Sequence, residues 1–489
     1  MHIGYSEHRT PCVEALDSGQ IEMIRQAAFR ILEETGAKVM HEEALKLLVS
    51  AGARVRGDQI VKIPRYVVEA ALATAPKGFT IYNREGKPWM NMSPGYVYYG
   101  TSTASPNTYD AETGELHTTT VRDLEMGALI ADALPNIDWV MPFGSVVDVP
   151  GLTPDIYEFT AVVHNTTKPM VCCGYSGRGT ELVYEMAAAV AGGLDELIDR
   201  PFVIMYPEPI SPLVFPPMVI DRIFACAKLR QPQIPCGSSG RGTTAPMTMA
   251  GTIALSVAES LVAITLAQLK NPGTPVFMAG NVGNADMATV TTAITPPERS
   301  LGYMAQAQVA KSFGLPTWGL AGATESKVLD AQAGAEAAFG LLAQTLGGST
   351  IIHDVGYMDS GMICSADMLV LGDELIGWVR RVMKGVTVNE YELALEVINK
   401  VGPGGNFARN KHTAANCRKE YWAPTGVFYR EPYSSWQRDG ATDTAQRTRQ
   451  KTLKILAEHK VAPLADKVQA DLEVIKEKAL KELSVMRQY

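Results

Sequence analysis

The stretch Ser349-Thr-Ile-Ile-His-Asp-Val-Gly-Tyr-Met-Asp-Ser-Gly361 decides how the rest of the chain is interpreted. Its first four residues form a short run that is typical of a buried strand. The run then reaches His353, Asp354 and Asp359, and it is broken by Gly356 and Gly361. A strand that ends in titratable side chains and glycine indicates where a parallel strand meets its loop, and in a parallel barrel these strand ends form the active face. We therefore expect this stretch to form one wall of a functional site.

The same order of apolar strand, polar or glycine-rich end and helix recurs along the chain. Eight strand-like runs lie at 97–100, 137–144, 169–174, 202–206, 234–237, 275–280, 316–322 and 349–356. Eight βα units in ~260 residues predict an α/β fold, and favour a (β/α)8 TIM barrel over a doubly wound open sheet. We expect a helical N-terminal region at 1–94 packed on the barrel, the barrel itself at 95–362, and a helical and irregular C-terminal extension at 363–489.

Composition excludes several classes of protein. The chain has 489 residues, a net charge of −8 and 46% hydrophobic residues. A net negative charge provides no positively charged surface that would attract nucleic acid or an anionic membrane. No run of ~20 apolar residues is evident, so no membrane span is predicted. The N-terminal residues lack the pattern of a signal peptide. The seven scattered cysteines are an odd number, which favours reduced thiols and a cytoplasmic protein.

The motifs of several common sites are missing. The chain has no H-E-x-x-H and no histidine–cysteine spacing of a tetrahedral zinc site, so we predict that it needs no zinc. No G-x-S-x-G is present, which gives little support to a serine hydrolase. Lys168 and Lys327 are the only lysines near predicted strand ends, and Lys327 begins a helix, which weakens a Schiff-base mechanism.

A glycine-rich turn follows the fifth predicted strand. The sequence Gly237-Ser-Ser-Gly-Arg-Gly242 lacks the lysine of a phosphate loop, but such turns bind anions through backbone N–H groups. Gly237, Ser238 and Ser239 are therefore candidate ligand-binding residues. Asn281, which follows the strand at 275–280, joins them as a candidate for binding a cofactor.

Aromatic residues collect near the predicted strand ends, although they make up only 7% of the chain. The faces of such rings attract cations that cannot donate a hydrogen bond, such as quaternary ammonium groups. The alternative is that these rings pack the core or the rim, and for any single ring this is the commoner role. Strand alternation also prevents Tyr98 and Tyr99 from both facing inward. The candidates for a substrate cage are Tyr99, Phe143, Tyr175, Tyr206 and Tyr357.

Three polar residues are candidates for catalysis. His353 and Asp359 lie in the opening stretch, and Glu208 is fixed between two prolines after the strand at 202–206. A histidine in a cleft commonly acts as acid, base or hydrogen-bonding group, yet a buried histidine can also be structural. Glu208 is either a site carboxylate or an exposed loop residue. Asp354 alternates away from His353, so we expect it to be structural.

Two further motifs identify a family resemblance. Residues 322–334, Gly-Ala-Thr-Glu-Ser-Lys-Val-Leu-Asp-Ala-Gln-Ala-Gly, resemble a signature of the trimethylamine:corrinoid methyltransferase family. So do Gly402-Pro-Gly-Gly-Asn-Phe with His412-Thr, and Arg418-Lys-Glu-Tyr-Trp-Ala-Pro. Their order and spacing, together with the total length, extend the resemblance over nearly the whole chain. The resemblance implies a TIM barrel that moves a methyl group from an amine to the cobalt of a separate corrinoid protein.

The resemblance also narrows the range of expected substrates. Archaeal trimethylamine enzymes of the family carry pyrrolysine, whereas this chain contains only the twenty standard residues and is similar to the non-pyrrolysine branch. That branch is associated with quaternary amines such as glycine betaine, proline betaine and carnitine. By resemblance, His353 and Asp359 match the active-site stretch after the last strand. The expected cofactor is then a corrinoid, cobalamin, carried by a partner protein.

Two other functions remain open at this point. A barrel lyase or isomerase acting on a small anionic metabolite would use His353 and Glu208 as acid and base. A non-catalytic corrinoid-binding or scaffold protein would need no reacting side chains. Large cytoplasmic barrels commonly assemble symmetrically, so we also expect a homo-oligomer.

Overall fold

The N-terminal region combines helices with short antiparallel strands. The computed structural model describes residues 8–289 and 291–483. Helix α1 begins at a capping box in which Asp17 accepts from the Gln20 N–H and the Gln20 side chain accepts from the Asp17 N–H. The elements are β1 His8–Arg9, α1 Ser18–Arg30, a π-helical turn Ile31–Thr35, β2 Ala37–Val39, α2 Glu42–Ser50, β3 Arg54–Arg56, β4 Ile60–Lys62, α3 Arg65–Thr74, β5 Thr80–Tyr82 and β6 Pro88–Asn91.

The central region alternates short strands with long helices. Along the chain, long helices are interspersed with the strands and bridge residues of a parallel series. The elements are β7 Tyr98–Thr101, β8 Asn107–Tyr109, β9 Leu116–Thr118, α4 Val121–Ala133, α5 Pro154–Asn165, β10 Met170–Cys172, α6 Gly177–Ala191, α7 Leu194–Asp199, β11 Val203–Met205, β12 Val214–Phe215, α8 Pro217–Lys228, β13 Gly240–Arg241, α9 Met249–Lys270, β14 Gly283–Ala285, β15 Thr292–Ala293, α10 Pro297–Ser312, β16 Trp318–Leu320, α11 Ala331–Gly347, β17 Ile351–Val355, β18 Tyr357–Met358, β19 Ile363–Ser365 and α12 Ala366–Met383.

The C-terminal region is helical and returns to pack on the central one. Helix α17 contacts α12 and α4, and α18 contacts α6. Two polar contacts hold these helices in place. His459 Nε2 lies at hydrogen-bond distance, 2.8 Å, from Asp132 Oδ2, and Arg178 Nε forms an ion pair of 2.7 Å with Glu482 Oε2. The elements are β20 Val386–Thr387, α13 Glu390–Leu393, α14 Leu395–Val401, α15 Lys411–Glu420, α16 Tyr433–Arg438, α17 Thr444–Glu458 and α18 Asp466–Leu483.

The strands of the central region pair in parallel but form only short ladders. Strand β10 pairs with β11, and β17 lies between β16 and β7. None of these small sheets is closed by regular ladders alone. Isolated parallel bridges join the remaining neighbours, at Gly100↔Trp139, Val140↔Met170, Met205↔Gln233, Gln233↔Val276 and Met278↔Thr317. Parallel strands joined through helices confirm the predicted α/β fold.

Side chains alternate between the two faces of the strands, and each face packs in its own apolar layer. One face of the series contributes Trp139, Val171, Ile204, Phe277 and Ile351 to a common inner cluster. The opposite face packs against the surrounding helices in two larger clusters. The β5–β6 hairpin adds its own apolar side chains to the inner cluster and lies near the start of the strands, where the Trp89 indole N–H donates to the Asp138 carbonyl over 2.8 Å.

Two helices, α9 and α12, are relevant to the expected absence of a membrane span and to the expected domain boundaries. Among the described helices, α9 has the length and hydrophobicity of a membrane span, but 83% of its most apolar window is buried inside the protein, as in a core helix. Helix α12 packs on β17 and α11, although it lies beyond residue 362. The division into 1–94, 95–362 and 363–489 stays a prediction.

Candidate active site

Five ring-bearing side chains meet on the inner face of the parallel strand series. The imidazole of His353 stacks on the indole of Trp318, with ring centroids 5.1 Å apart, and lies 6.1 Å from the ring centroid of Trp139. The ring of Tyr357 meets His353 edge-on at 5.8 Å, and the ring of Tyr206 lies 5.3 Å from that of Trp318. We call these five residues the aromatic cluster.

Backbone geometry explains why these rings come together. The register pairs Leu320 with His353, so the side chains of both point to the same face of neighbouring strands. A glycine makes room for the deepest ring, because a Cβ on Gly100 would lie 2.2 Å from the indole of Trp139. Tyr357 is held by its hydroxyl, which donates to the Thr103 carbonyl and accepts from the Thr103 N–H over 3.1 Å.

Several buried nitrogens of the cluster lack a hydrogen-bond partner within the described chain. They are Nε1 of Trp139, Nε1 of Trp318 and both ring nitrogens of His353. Nδ1 of His353 lies 2.5 Å from Oδ1 of Asp354, but not in the orientation of a hydrogen bond. A buried donor without a partner costs about 1–3 kcal/mol. These groups are therefore available to a ligand that brings a hydrogen-bond acceptor.

A buried ion pair lies behind His353. Asp354 has a left-handed backbone with φ of 88°, which costs energy for a residue other than glycine and often marks a functional site. This conformation brings its Oδ2 within 3.6 Å of Nη1 of buried Arg299. The Arg299 guanidinium also lies over the ring of Tyr303, whose hydroxyl donates to Oδ1 of Asn281 over 2.7 Å. Asp354, which we expected to be structural and independent of His353, instead faces its imidazole.

Tyr175 belongs to a second polar group. Its hydroxyl donates to Oε1 of Glu158 over 2.8 Å, and its N–H donates to Oδ2 of Asp155 over 3.3 Å. Burial raises the pKa of Glu158 to about 8 and the pKa of Asp155 to about 6. Glu158 is thus mainly neutral at neutral pH. Both carboxyl groups lie on the buried face of α5. They were not among the predicted site residues, although two acids three residues apart on an apolar helix are a signal that the sequence contains.

The predicted anion-binding turn is partly used by the protein itself. Buried Ser239 donates to Oε2 of Glu259 over 3.0 Å, and a Cβ on Gly237 would lie 2.5 Å from the same oxygen. Burial raises the pKa of Glu259. Ser238 is exposed, and its hydroxyl donates to the carboxylate of Glu208, which is also exposed. Of the two predicted serines of this turn, Ser238 is exposed to solvent and Ser239 is buried.

Asp359 lies in an exposed turn. Its Oδ1 is 3.0 Å from Nζ of Lys327, and both side chains are accessible to solvent. Asp359 and Ser360 both have positive φ angles, of 49° and 55°, which shape the turn after β18. Asp359 is thus paired with Lys327, whereas His353 faces Asp354.

Two predicted cage residues face away from the cluster. The Tyr99 hydroxyl lies 2.8 Å from Oγ1 of Thr345 in the layer between strands and helices, and burial raises the pKa of this tyrosine to about 12. Phe143 is buried in the same layer, where a Cβ on Gly127 or Gly356 would collide with its ring. Tyr99 and Phe143 therefore pack the core, which was the alternative role for every candidate ring. We do not include these two residues in the proposed cage.

A group of side chains of the kind that bind metal ions lies outside the aromatic cluster. In the described part of the chain, ligand atoms of Asp110, His117 and Asp123 lie within 4.8 Å of one another. Within this group, His117 Nε2 is 3.2 Å from Asp123 Oδ1. The group contains no cysteine and is separate from the aromatic cluster. The absence of a zinc requirement stays a prediction.

The fold is similar to that of a known amine methyltransferase. The structure matches the crystal structure of the Methanosarcina barkeri monomethylamine methyltransferase (MtmB) with a TM-score of 0.52, over 97% of this chain and 89% of that one. The sequences are only 13% identical, so this likeness shows the fold alone. It places the chain in an α/β architecture used for methyl transfer from amines in that protein.

Sequence relatives define the family. A model of the family described as trimethylamine methyltransferase (MTTB) matches residues 2–482, and the chain belongs to this family. A glycine betaine methyltransferase of Desulfitobacterium hafniense (strain Y51) is 30% identical over 95% of this chain and 96% of its own length. A trimethylamine methyltransferase, MttB, of D. hafniense (strain DSM 10664 / DCB-2) is also 30% identical, over 96% of this chain and 94% of its own length. The predicted resemblance is confirmed, and the protein is a methyltransferase.

Proposed function

We propose that the protein transfers a methyl group from a quaternary amine, of the glycine betaine, proline betaine or carnitine type, to the cobalt of a separate corrinoid protein. The observation that carries this proposal is the aromatic cluster with its unpartnered N–H groups. A quaternary ammonium cannot donate a hydrogen bond, so ring faces are suited to bind it. The similarity to a glycine betaine methyltransferase supports the same substrate class.

We infer that the parallel strands form a (β/α)8 barrel. Support comes from the order of the pairings, which runs from β7 through successive neighbours to β16 and β17. Strand β17 then pairs with β7, the first of the series. In such a barrel His353 lies in the middle of the last strand, two residues before its carboxyl end, and active sites of this fold are found at that end of the strands.

The ring faces would hold the cation. Tyr206 and Tyr357 are half-buried, and Trp318 lies between Tyr206 and His353. Each ring face contributes ~0.5–2 kcal/mol to binding a desolvated cation. The quaternary nitrogen already carries its charge, so its amine can leave without protonation. The side chains then have to position one N–CH3 bond rather than transfer a proton.

The unpartnered donors would hold the other end of the substrate. A betaine carries a carboxylate, which needs donors once it leaves water. The Trp318 and His353 nitrogens provide buried donors beside the cage. Asp354, backed by Arg299, lies beside His353 and would help to position its ring. Glu208 and Asp359 are engaged by Ser238 and Lys327, so we assign them to the rim of the site.

The corrinoid would approach at the same rim. It supplies the reduced cobalt that accepts the methyl group. The exposed Glu208–Ser238 pair offers polar groups to the amide side chains of a corrinoid. Ser239 and Asn281 are occupied by Glu259 and Tyr303, so they would act by shaping this edge rather than by direct contact.

A screen of amines tests the function. The purified chain is mixed with reduced cobalamin or a corrinoid protein, and methylation is followed by absorbance for quaternary and tertiary amines. We expect turnover with a quaternary amine and release of the corresponding tertiary amine by mass spectrometry. A product that retains every methyl group, formed without corrinoid, would assign the lyase or isomerase activity instead. Amine-independent corrinoid binding without turnover would indicate a scaffold protein.

We also propose a cytoplasmic location. All seven cysteines are free, and four of them are buried, at Cys172, Cys226, Cys236 and Cys364. The longest apolar helix is accounted for by core packing. Both observations support the location that the cysteine count favours.

A further inference from the structure

The carboxyl group of Glu158 is buried on α5, which packs against strand β10. Glu158 is 3% exposed, and the Tyr175 hydroxyl lies 2.8 Å from its Oε1. Within the part of the chain that the structure describes, no lysine, arginine or histidine forms an ion pair with this carboxyl. A carboxyl that is buried without a cation keeps its proton, because the charged form would lose its hydration. Burial accordingly raises the pKa of Glu158 to about 8, so the group holds a proton at neutral pH.

The titratable groups around Glu158 favour this protonated state. Asp155 lies one turn earlier on α5, is also 3% exposed, and adds to the effect of burial on the pKa of Glu158. The thiols of Cys172 and Cys173 interact with Glu158 from the end of β10, and burial raises the pKa of both, so they stay neutral. Arg222 of α8 stabilises the charged form of Asp155 but does not act on Glu158. The surroundings therefore keep one transferable proton on Glu158.

The end of β10 connects this acid to the aromatic cluster. Cys173 packs against the inner apolar cluster of the strand series. Its thiol is hydrogen-bonded to the Thr103 side chain, and the Thr103 backbone holds the Tyr357 hydroxyl. Tyr357 in turn meets His353 edge-on at 5.8 Å. Cys173 thus adjoins Glu158 and, through Thr103, the ring of Tyr357.

Tyr175 gives the buried acid access to the strand ends. It follows Cys173 by two residues, and it is half-buried whereas Glu158 is sealed from solvent. Its hydroxyl is also hydrogen-bonded to Ser145, which follows the second predicted strand. A tyrosine hydroxyl can accept one hydrogen bond while it donates another, and its O–H rotates to suit its partners. The Tyr175 hydroxyl is therefore suited to pass a proton from Glu158 outward.

The proposed reaction needs a proton after the methyl group has left. When the C–N bond of a quaternary amine breaks, its electron pair stays on nitrogen, and the bond to the methyl acceptor uses the electron pair of the acceptor. The product is a neutral tertiary amine, whereas alkyl amines have a pKa of about 10 in water. The lone pair of the neutral amine can take the methyl group back, and protonation prevents this. A partner protein over the strand ends would exclude water, so the proton has to come from the chain itself.

We propose that Glu158 gives a proton, through the Tyr175 hydroxyl, to the tertiary amine that remains after methyl transfer. The O–H bond of Glu158 breaks as the Tyr175 oxygen takes its proton, and the Tyr175 O–H proton passes to the amine nitrogen. Glu158 is left as a carboxylate and regains a proton from solvent when the products have left. One proton moves, and no group is oxidised or reduced. The inference rests on the proposed function, and Glu158 acts through Tyr175 rather than by touching the substrate.

Transient kinetics separate this step from methyl transfer. The full chain is mixed with a reduced corrinoid protein and with glycine betaine, proline betaine or carnitine as the probe, and the first turnover and the steady state are followed by absorbance. Glu158→Gln and Tyr175→Phe should complete the first turnover at nearly the native rate, but their kcat should fall about 100-fold, as for loss of a general acid. The matched control is Tyr99→Phe, which loses a buried hydroxyl that is bonded to Thr345 outside the cluster. This control should keep the native kcat.

The pH dependence of kcat gives a second test that needs no variant. The kcat of the native chain should fall about tenfold per pH unit above about pH 8, because Glu158 then lacks its proton, and Glu158→Gln should not show this fall. A native kcat that is constant above this pH would overturn this inference alone, as would an unchanged kcat in both variants or a first turnover that slows as much as kcat. No turnover of any of the three probes by the native chain would refute the proposed function and this inference with it.

Discussion

The indole of Trp318 and the imidazole of His353 lie nearly face to face, with an interplanar angle of 26° and centroids 5.1 Å apart. Their facing surfaces pack on each other, and both rings have nitrogens without partners in the described chain. A zwitterionic substrate of the proposed class would have two requirements. A cation needs a ring face and a carboxylate needs a hydrogen-bonding edge.

Replacing a cage ring should weaken substrate binding in a selective way. Tyr206→Leu or Trp318→Leu keeps an apolar side chain but removes the quadrupole, so we expect a loss of ~0.5–2 kcal/mol, or roughly 2- to 30-fold in affinity. Isothermal titration calorimetry with a quaternary amine measures this directly. Tyr99→Leu and Phe143→Leu are the controls, because both rings are buried outside the cluster. Equal losses for controls and cage variants would place the binding site elsewhere.

Removing the His353 imidazole should impair substrate positioning. His353→Ala deletes a donor to the substrate carboxylate, a charge-assisted bond worth ~1.5–3 kcal/mol, so kcat/KM should fall about 10- to 150-fold with a rise in KM. Asp354→Asn should give a smaller loss, because it weakens only the orientation of the ring. Asp359→Asn serves as the comparison, since Asp359 is paired with Lys327 at the surface.

The pH profile separates positioning from proton transfer. If no proton moves in the chemical step, kcat/KM should lack a steep limb near the usual histidine pKa of ~6.5 while the cobalt is kept reduced. A bell-shaped profile that His353→Ala flattens would instead demonstrate acid–base catalysis, and the lyase or isomerase alternative would then be preferred.

Trimethylamine should be a poor substrate. At neutral pH it is mostly a protonated tertiary amine, whose N–H is a hydrogen-bond donor that an aromatic cage leaves unpaired. The chain also contains only the twenty standard residues and so lacks pyrrolysine. Steady-state assays with trimethylamine and with glycine betaine at equal concentration make the comparison. Efficient turnover of trimethylamine would refute the assignment to quaternary amines.

Protein stability should depend on pH through Glu158. Its pKa is about 8 in the folded protein against 4.5 for an ordinary glutamate. Between these two values the unfolded chain loses the proton and the folded chain keeps it, so rising pH favours unfolding. The free energy of unfolding, measured relative to Glu158→Gln, should therefore fall by ~1 kcal/mol per pH unit from pH 4.5 to about 8 and level off above. Denaturant titrations of both proteins across this range provide the test, and a constant difference would contradict the buried neutral acid.

The sequence predicted the α/β fold because apolar runs and glycine-rich ends mark each strand. It could not tell which face of a strand points inward. Tyr98 and Tyr99 were known to face opposite ways, but the side was set by packing against Thr345 and the helices, which lie far away in the chain. Trp139 was missed because it sits at the start of its strand rather than at the end.

Asp354 shows a different limit of prediction from the sequence. Simple alternation turns its side chain away from His353, yet a φ of 88° brings the two together. A left-handed backbone is uncommon outside glycine, and nothing in the local sequence signals it. Glu158 lies on a helix rather than at a strand end, so the pattern of strand ends did not indicate it.

The pairing of β17 with β7 has a consequence for biosynthesis. Ile351 is hydrogen-bonded in register with Tyr98, about 250 residues earlier in the chain. During translation, β7 must therefore wait for most of the chain to leave the ribosome before it gains this neighbour. A nascent chain that stalls before β17 exposes strand edges at both β7 and β16, and exposed edges of this kind promote aggregation. We therefore expect the nascent chain to be most prone to aggregation in the interval before β17 is synthesised.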